Sequence, residues 1–214
     1  MELTGYDLKL TSQLRYQVRF IANNLLPPPE SNRFQKMRTS GCTECRLQKR
    51  LTNISKLRHV MANTENTQIV HAGVEHVPSL TPLFDEYRVW CGQPPDPDGA
   101  REFLTQRIRN NESEIFLAII NQQLAGFTQL YPLFSSVSME SIWLLNDLYV
   151  ANDYRQQKIG SLLLETATQF ARELGALRLE LEADVTNSTA QAMYESRGWK
   201  KNTKYFHYTL SLCE

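Results

Sequence analysis

The sequence predicts an α/β (α+β) fold: a mixed, mostly antiparallel central sheet flanked by helices. Three observations carry this expectation. An apolar run, a polar glycine-bearing turn and an amphipathic helix follow one another between Ile142 and Leu174. An alternating apolar segment comes directly after them, from Leu177 to Ala183. Upstream, two strand-like runs are separated by three polar residues, which is hairpin spacing.

Gln68 to Ala72 reads as a first strand, and Pro78 to Trp90 as a helix. The breaker-rich stretch Cys91-Gly92-Gln93-Pro94-Pro95-Asp96 separates it from a second helix, Pro97 to Asn110, whose Ala100, Phe103, Leu104 and Ile108 keep helical spacing. Glu114 to Ile120 and Leu124 to Leu130 are strands joined through Asn121-Gln122-Gln123.

Ile142 to Val150 is nearly continuous in apolar residues, as a strand covered on both faces requires. Only Asn146 and Asp147 interrupt it. The turn from Asn152 to Lys158 is too polar to be buried, and a helix starts near Ile159 or Gly160. Ile159, Leu162, Leu163, Ala167, Phe170 and Leu174 draw one stripe along it, and Gly175 supplies the left-handed residue that often follows a last helical turn. Leu177, Leu179, Leu181 and Ala183 then alternate with polar residues, so strand, helix and strand imply a right-handed crossover between parallel neighbours. Phe206 to Leu210 is the expected last strand.

Where a strand feeds a helix, the first helical N–H groups have no partner inside the helix and the peptide dipoles make that end partly positive. A phosphate suits this place. Gly160 permits close backbone approach, and Arg155 and Lys158 add positive charge from the flanks. The plain alternative is an ordinary turn that binds nothing.

These residues resemble the GNAT superfamily of N-acetyltransferases, whose cofactor loop reads Gln/Arg-x-x-Gly-x-Gly/Ala. Arg155-Gln156-Gln157-Lys158-Ile159-Gly160 matches the first and last places and carries Lys158 where glycine is usual. The surrounding stretch NDLYVANDYRQQKIGSLLLETA is similar to the family's strand, loop and helix, and NSTAQAMYESRGW to its Asn-x-x-Ala-x-x-x-Tyr element. The resemblance covers roughly Ile69 to Leu210 and implies a splayed parallel strand pair. If the Lys158 position needs a positive φ, lysine costs about 1 kcal/mol relative to glycine.

The resemblance implies acetyl-CoA as cosubstrate and no metal. The pyrophosphate is then expected on the amides of Gln156, Gln157, Lys158, Ile159, Gly160 and Ser161, beside Arg155. The pantetheine arm is expected along the edge of Leu148, Tyr149 and Val150, a backbone N–H of which would face the oxyanion. Asn187 is either a cofactor contact or a helix cap. Tyr194 is the candidate acid toward the CoA sulfur, its alternative being a packed core tyrosine. Asn146-Asp147 stands where many polyamine-type members carry Glu-Asp, which leaves Asp147 as candidate base or as a satisfied structural aspartate.

The expected activity is acetyl transfer to a primary amine, of a small molecule such as a polyamine or amino acid, by direct attack in a ternary complex. A protein or peptide acceptor and a non-catalytic CoA-binding regulatory module are the alternatives. Tyr87, Trp90, Tyr131, Phe134 and Trp143 either shape the acceptor pocket or fill the core.

At 214 residues the chain accommodates one domain and an appendage. We expect an N-terminal basic extension over residues 1–65, partly helical or disordered, and an acetyltransferase domain over residues 66–214. The extension holds 11 lysines and arginines against 5 acidic residues, the remainder 12 against 18. It lacks a dense basic run with interleaved aromatics, which argues against nucleic acid. Leu10, Leu14, Val18, Ile21 and Leu25 share one helical face there, and Met61 offers an alternative start. Cys42 and Cys45 have the spacing of half a zinc site, with no second pair behind them. No apolar run reaches the roughly 20 residues needed to cross a bilayer. A cytoplasmic protein is expected, with a homodimer as an option the family implies.

Overall fold

The computed structural model describes residues 63–64 and 67–212. The predicted helical face at 10–25, the Cys42–Cys45 pair, Met61 and all of the extension except Asn63 and Thr64 lie outside the described residues.

Six strands form one sheet in chain order: β1 (Asn63–Thr64), β2 (Thr67–His71), β3 (Glu114–Ile120), β4 (Gln123–Ser135), β5 (Glu140–Val150) and β6 (Leu179–Glu180). All neighbours are antiparallel except β5 and β6, which run parallel. Helices α1 (Val77–Trp90) and α2 (Pro97–Arg109) connect β2 to β3, α3 (Ile159–Glu173) connects β5 to β6, and α4 (Ser188–Glu195) follows.

Successive strand residues point to opposite faces, and here that alternation builds two cores. Phe116, Ala118, Leu130 and Leu145 pack under α3 against Leu163, Ala167 and Phe170. Ile115, Leu117, Phe127 and Tyr149 pack under α1 and α2 against Leu80, Phe84 and Leu104. On α3 the buried stripe includes Leu164, while Leu162 and Leu174 are only half-buried.

The turns obey their sequence signals. Ile120 pairs with Gln123, so the hairpin loop is two residues, and Asn121 and Gln122 both take positive φ (49° and 66°), as a type I′ turn requires. Gly175 has φ 72° just past α3, where its N–H bonds Arg172 and that of Ala176 bonds Ala171, both at 3.0 Å.

Two expectations need correction. Of the predicted strand Leu177 to Ala183, only Leu179 and Glu180 pair with β5, against Trp143 and Leu144. The predicted last strand Phe206 to Leu210 does not form; Phe206, Tyr208 and Leu210 are more than 80% exposed (87%, 86% and 81%). His207 of the tail meets the stretch after β6 through its side chain, Nδ1 lying 2.9 Å from Glu182 Oε1. Alternation makes a segment suitable for a ladder, but the ladder needs a neighbouring strand, and β6 supplies only two paired residues.

Candidate active site

Because β6 leaves β5 after Leu144, the outer edge of β5 from Leu145 to Val150 has no strand partner among the described residues. This is the splay of the parallel pair. The pairing of β5 with β4 also slips here: Gln129 stands opposite Asp147, but Leu130 stands opposite Leu145. Asn146 is thus the extra residue of a β-bulge and is exposed, while Asp147 is turned inward and buried.

The loop after β5 contains two left-handed residues, Gln156 (φ 62°) and Lys158 (φ 63°). Lys158 is the N-cap of α3, so the place where the loop motif favours glycine is a true positive-φ position. Leu162 is the first N–H to find a helical carbonyl, that of Lys158 at 3.0 Å. The N–H groups of Ile159, Gly160 and Ser161 therefore form the unpaired mouth of the helix. A methyl added to Gly160 would stand 3.8 Å from both Val150 Cγ2 and Met193 Sδ, so this glycine joins the end of β5 to α4.

Arg155 does not extend freely from the loop. Its Nε donates to the carbonyl of Val150 at 3.0 Å, and its guanidinium lies 5.6 Å from the Tyr149 ring. Gln157 Nε2 donates to the carbonyl of Asp153 at 3.2 Å. A cavity of about 290 Å³ opens beside the helix mouth, lined by Lys158, Ser161, Glu165 and Arg197 among others. It lies on the Thr67 side of the loop and contains neither Asp147 nor Tyr194.

Asp147 is held by neutral donors. Asn146 Nδ2 donates to its Oδ1 at 3.0 Å, and the Tyr87 hydroxyl is near enough to act on its carboxylate. Burial pushes the Asp147 carboxyl above the usual carboxylate range, and the Asn146 amide and the nearby Tyr87 hydroxyl pull it back part of the way. Gln129, fully buried, donates from Nε2 to Ser113 Oγ and to the Tyr131 hydroxyl, both at 2.9 Å. Burial and the Asp147 charge push the Tyr131 hydroxyl up to about 12.

Tyr194 lies on α4, half-buried against the α3 core, its ring 6.0 Å from Trp199. Burial raises its hydroxyl above the ordinary value, and that hydroxyl has no hydrogen-bond partner among the described residues. Asn187 caps α4, its Oδ1 accepting from Ala190 N–H at 3.0 Å. Leu148 and Val150 are half-buried and Tyr149 is buried, its hydroxyl donating to Glu86 at 2.9 Å.

Of the aromatic residues, Tyr87 and Tyr131 reach the Asp147 cluster, whereas Trp143 packs on Phe170 at 5.4 Å and Trp90 is 58% exposed. Sequence reading did not link Tyr87, Gln129 or Ser113 to Asp147. Their helix, strand and loop are far apart in the chain, and only the polar interruption of an apolar strand hinted at a site there. The loop Cys91–Asp96 is anchored next to Tyr87, Asp96 N–H donating to Asp85 Oδ1 at 3.0 Å.

A strand edge left open beside an unpaired helix mouth, in a sheet of this order, is the layout of an acyl-group transferase. The chain belongs to the acetyltransferase (GNAT) family, whose model matches residues 79–199. It is 42% identical over 134 residues to the uncharacterized N-acetyltransferase YhfO of Bacillus subtilis, covering 63% of this chain and 90% of that protein. A probable acetyltransferase of Haemophilus influenzae is 36% identical, with 62% and 90% covered. The crystal structure of a probable acetyltransferase superposes with a TM-score of 0.64 at 42% identity, covering 68% of this chain and 98% of that one. An aminoalkylphosphonate N-acetyltransferase of Salmonella typhimurium is 32% identical over 45% of this chain and 61% of its own length. No helix among the described residues is long and apolar enough to cross a membrane.

Proposed function

We propose that the protein transfers an acetyl group from acetyl-CoA to a primary amine of a small molecule, by direct attack within a ternary complex. The open β5 edge from Leu145 to Val150, ending at the mouth of α3, carries this reading. Unpaired strand N–H and C=O groups suit an amide-bearing arm lying alongside. The free N–H groups of Ile159, Gly160 and Ser161 and the positive helix end suit a diphosphate, with the Lys158 ammonium beside it. Similarity to an enzyme named for aminoalkylphosphonates supports a small amine acceptor.

Acetyl-CoA, when bound, supplies an acyl group activated as a thioester. Asp147 takes a proton from the attacking amine as the new C–N bond forms, and Tyr194 gives its proton to the sulfur as the C–S bond breaks. A backbone N–H between Leu148 and Val150 faces the charge that develops on the carbonyl oxygen.

Calorimetry with acetyl-CoA and thiol release with a panel of polyamines, amino acids, aminophosphonates and peptides tests the proposal. Binding followed by turnover of small amines is expected. Binding without turnover of any acceptor would favour a regulatory module, and turnover of peptides alone would favour a protein acceptor.

A further inference from the structure

Resting on the amine-transfer reading above, we infer that Tyr131 determines acceptor specificity, its hydroxyl donating a hydrogen bond to an oxygen atom of the acceptor. The acceptor is then an oxygen-bearing amine and not a plain alkylamine or polyamine. Gln129 stands opposite Asp147 across the ladder of β4 and β5, and opposite Ile115 on β3. Tyr131 lies two residues further along β4, on the same face. Ser113 comes just before β3.

Gln129 Nε2 has two N–H groups and gives one to Ser113 Oγ and one to the Tyr131 hydroxyl oxygen, both at 2.9 Å. Each hydroxyl accepts from the amide and keeps its own hydrogen for another partner. Among the described residues neither hydroxyl finds an acceptor for it. Gln129 itself is fully buried, and its Oε1 is buried with no donor. An apolar side chain of similar shape would avoid the cost of that orphaned carbonyl, so the amide is there for what its N–H groups orient.

What the cluster lacks is an oxygen lone pair. Ser113 is buried and Tyr131 only half-buried, so the Tyr131 hydroxyl is the one a guest reaches. Charge does not make the selection, because Glu112, next to Ser113, is already met by Arg107 Nε at 2.7 Å. Neighbouring strands run about 5 Å apart, so an amine at Asp147 brings an oxygen a few bonds away over Tyr131. A polyamine has no such oxygen.

Ethanolamine and propylamine have the same shape and differ in one hydroxyl against one methyl. Their kcat/KM values should favour ethanolamine by about tenfold or more in the native chain and fall to near parity in Tyr131→Phe, which removes only a hydroxyl. β-Alanine and aminoethylphosphonate replace ethanolamine in parallel arms and tell a charged oxygen from a neutral one. A preference over propylamine that Tyr131→Phe abolishes supports the assignment for whichever oxygen shows it. Parity of all three with propylamine in the native chain, or a preference that survives in Tyr131→Phe, would overturn it. Calorimetry of the same amines with the CoA-loaded protein reads the preference without turnover, and equal acetyl-CoA affinity in both chains shows that the variant is folded. Propylamine turned over as well as the oxygen-bearing amines overturns this inference alone and leaves the transfer reading standing. Turnover of no amine counts against that reading; the binding preference then decides the inference, and absence of binding by every oxygen-bearing amine overturns it.

Discussion

Lys158 and Leu162 are joined by the first hydrogen bond of α3, and Lys158 makes it from a left-handed conformation, φ 63° and ψ 10°. A residue with a Cβ is strained there by about 1 kcal/mol. The same residue stands at the positive mouth of the helix, where its ammonium adds to the field that an anion meets.

Lys158→Gly and Lys158→Ala separate these two effects. Glycine should raise stability by about 1 kcal/mol, seen as a melting-temperature rise of about 2–4 °C, because it removes the strain. Alanine keeps the strain and gives no rise. Both lose the charge and should weaken acetyl-CoA binding measured by calorimetry, more so at low salt than at high salt.

Asp147→Asn should separate stability from activity. The folded state raises the Asp147 pKa above its unfolded value, so the folded protein holds the proton more tightly. Stability is therefore lost as pH rises from the unfolded value through the folded one, and the deficit persists above it. Replacing the carboxylate by a neutral isostere should raise the melting temperature at neutral pH, with no gain below about pH 4. Turnover should fall by about 10²-fold or more, with acetyl-CoA affinity retained.

Tyr194→Phe removes a hydroxyl that burial keeps protonated beyond the ordinary tyrosine range. Turnover should drop by about 10²-fold while cofactor affinity changes little. Steady-state kinetics beside calorimetry checks this, and unchanged turnover removes Tyr194 from the acid role.

Gly126→Ala links the sheet to the site. A Cβ on Gly126 would stand 2.7 Å from the carbonyl oxygen of Tyr149 and 3.3 Å from Val150 Cα. Backbone cannot swing aside as a flexible side chain does, so β5 must shift at the edge that borders the gap. We expect a destabilisation of about 1–3 kcal/mol by denaturant unfolding, and weaker acetyl-CoA binding by the folded fraction.

What the sequence determined by itself was whatever depends on neighbours in the chain. The apolar runs of β3 and β5, the helical stripe of α3, the left-handed Gly175 and the hairpin at Asn121 are local matters of side-chain character and backbone sterics, so they were legible. The loop motif was legible in the same way, down to the strain expected at Lys158. Tertiary structure alone decided where pairing stops. Leu177 to Ala183 and Phe206 to Leu210 alternate as strands do, yet only Leu179 and Glu180 find a ladder, because a strand's hydrogen bonds belong to its partner as much as to itself. The bulge that exposes Asn146 and buries Asp147, and the helix that brings Tyr87 to that carboxylate, likewise join residues whose separation in the chain carries no signal of their meeting in space.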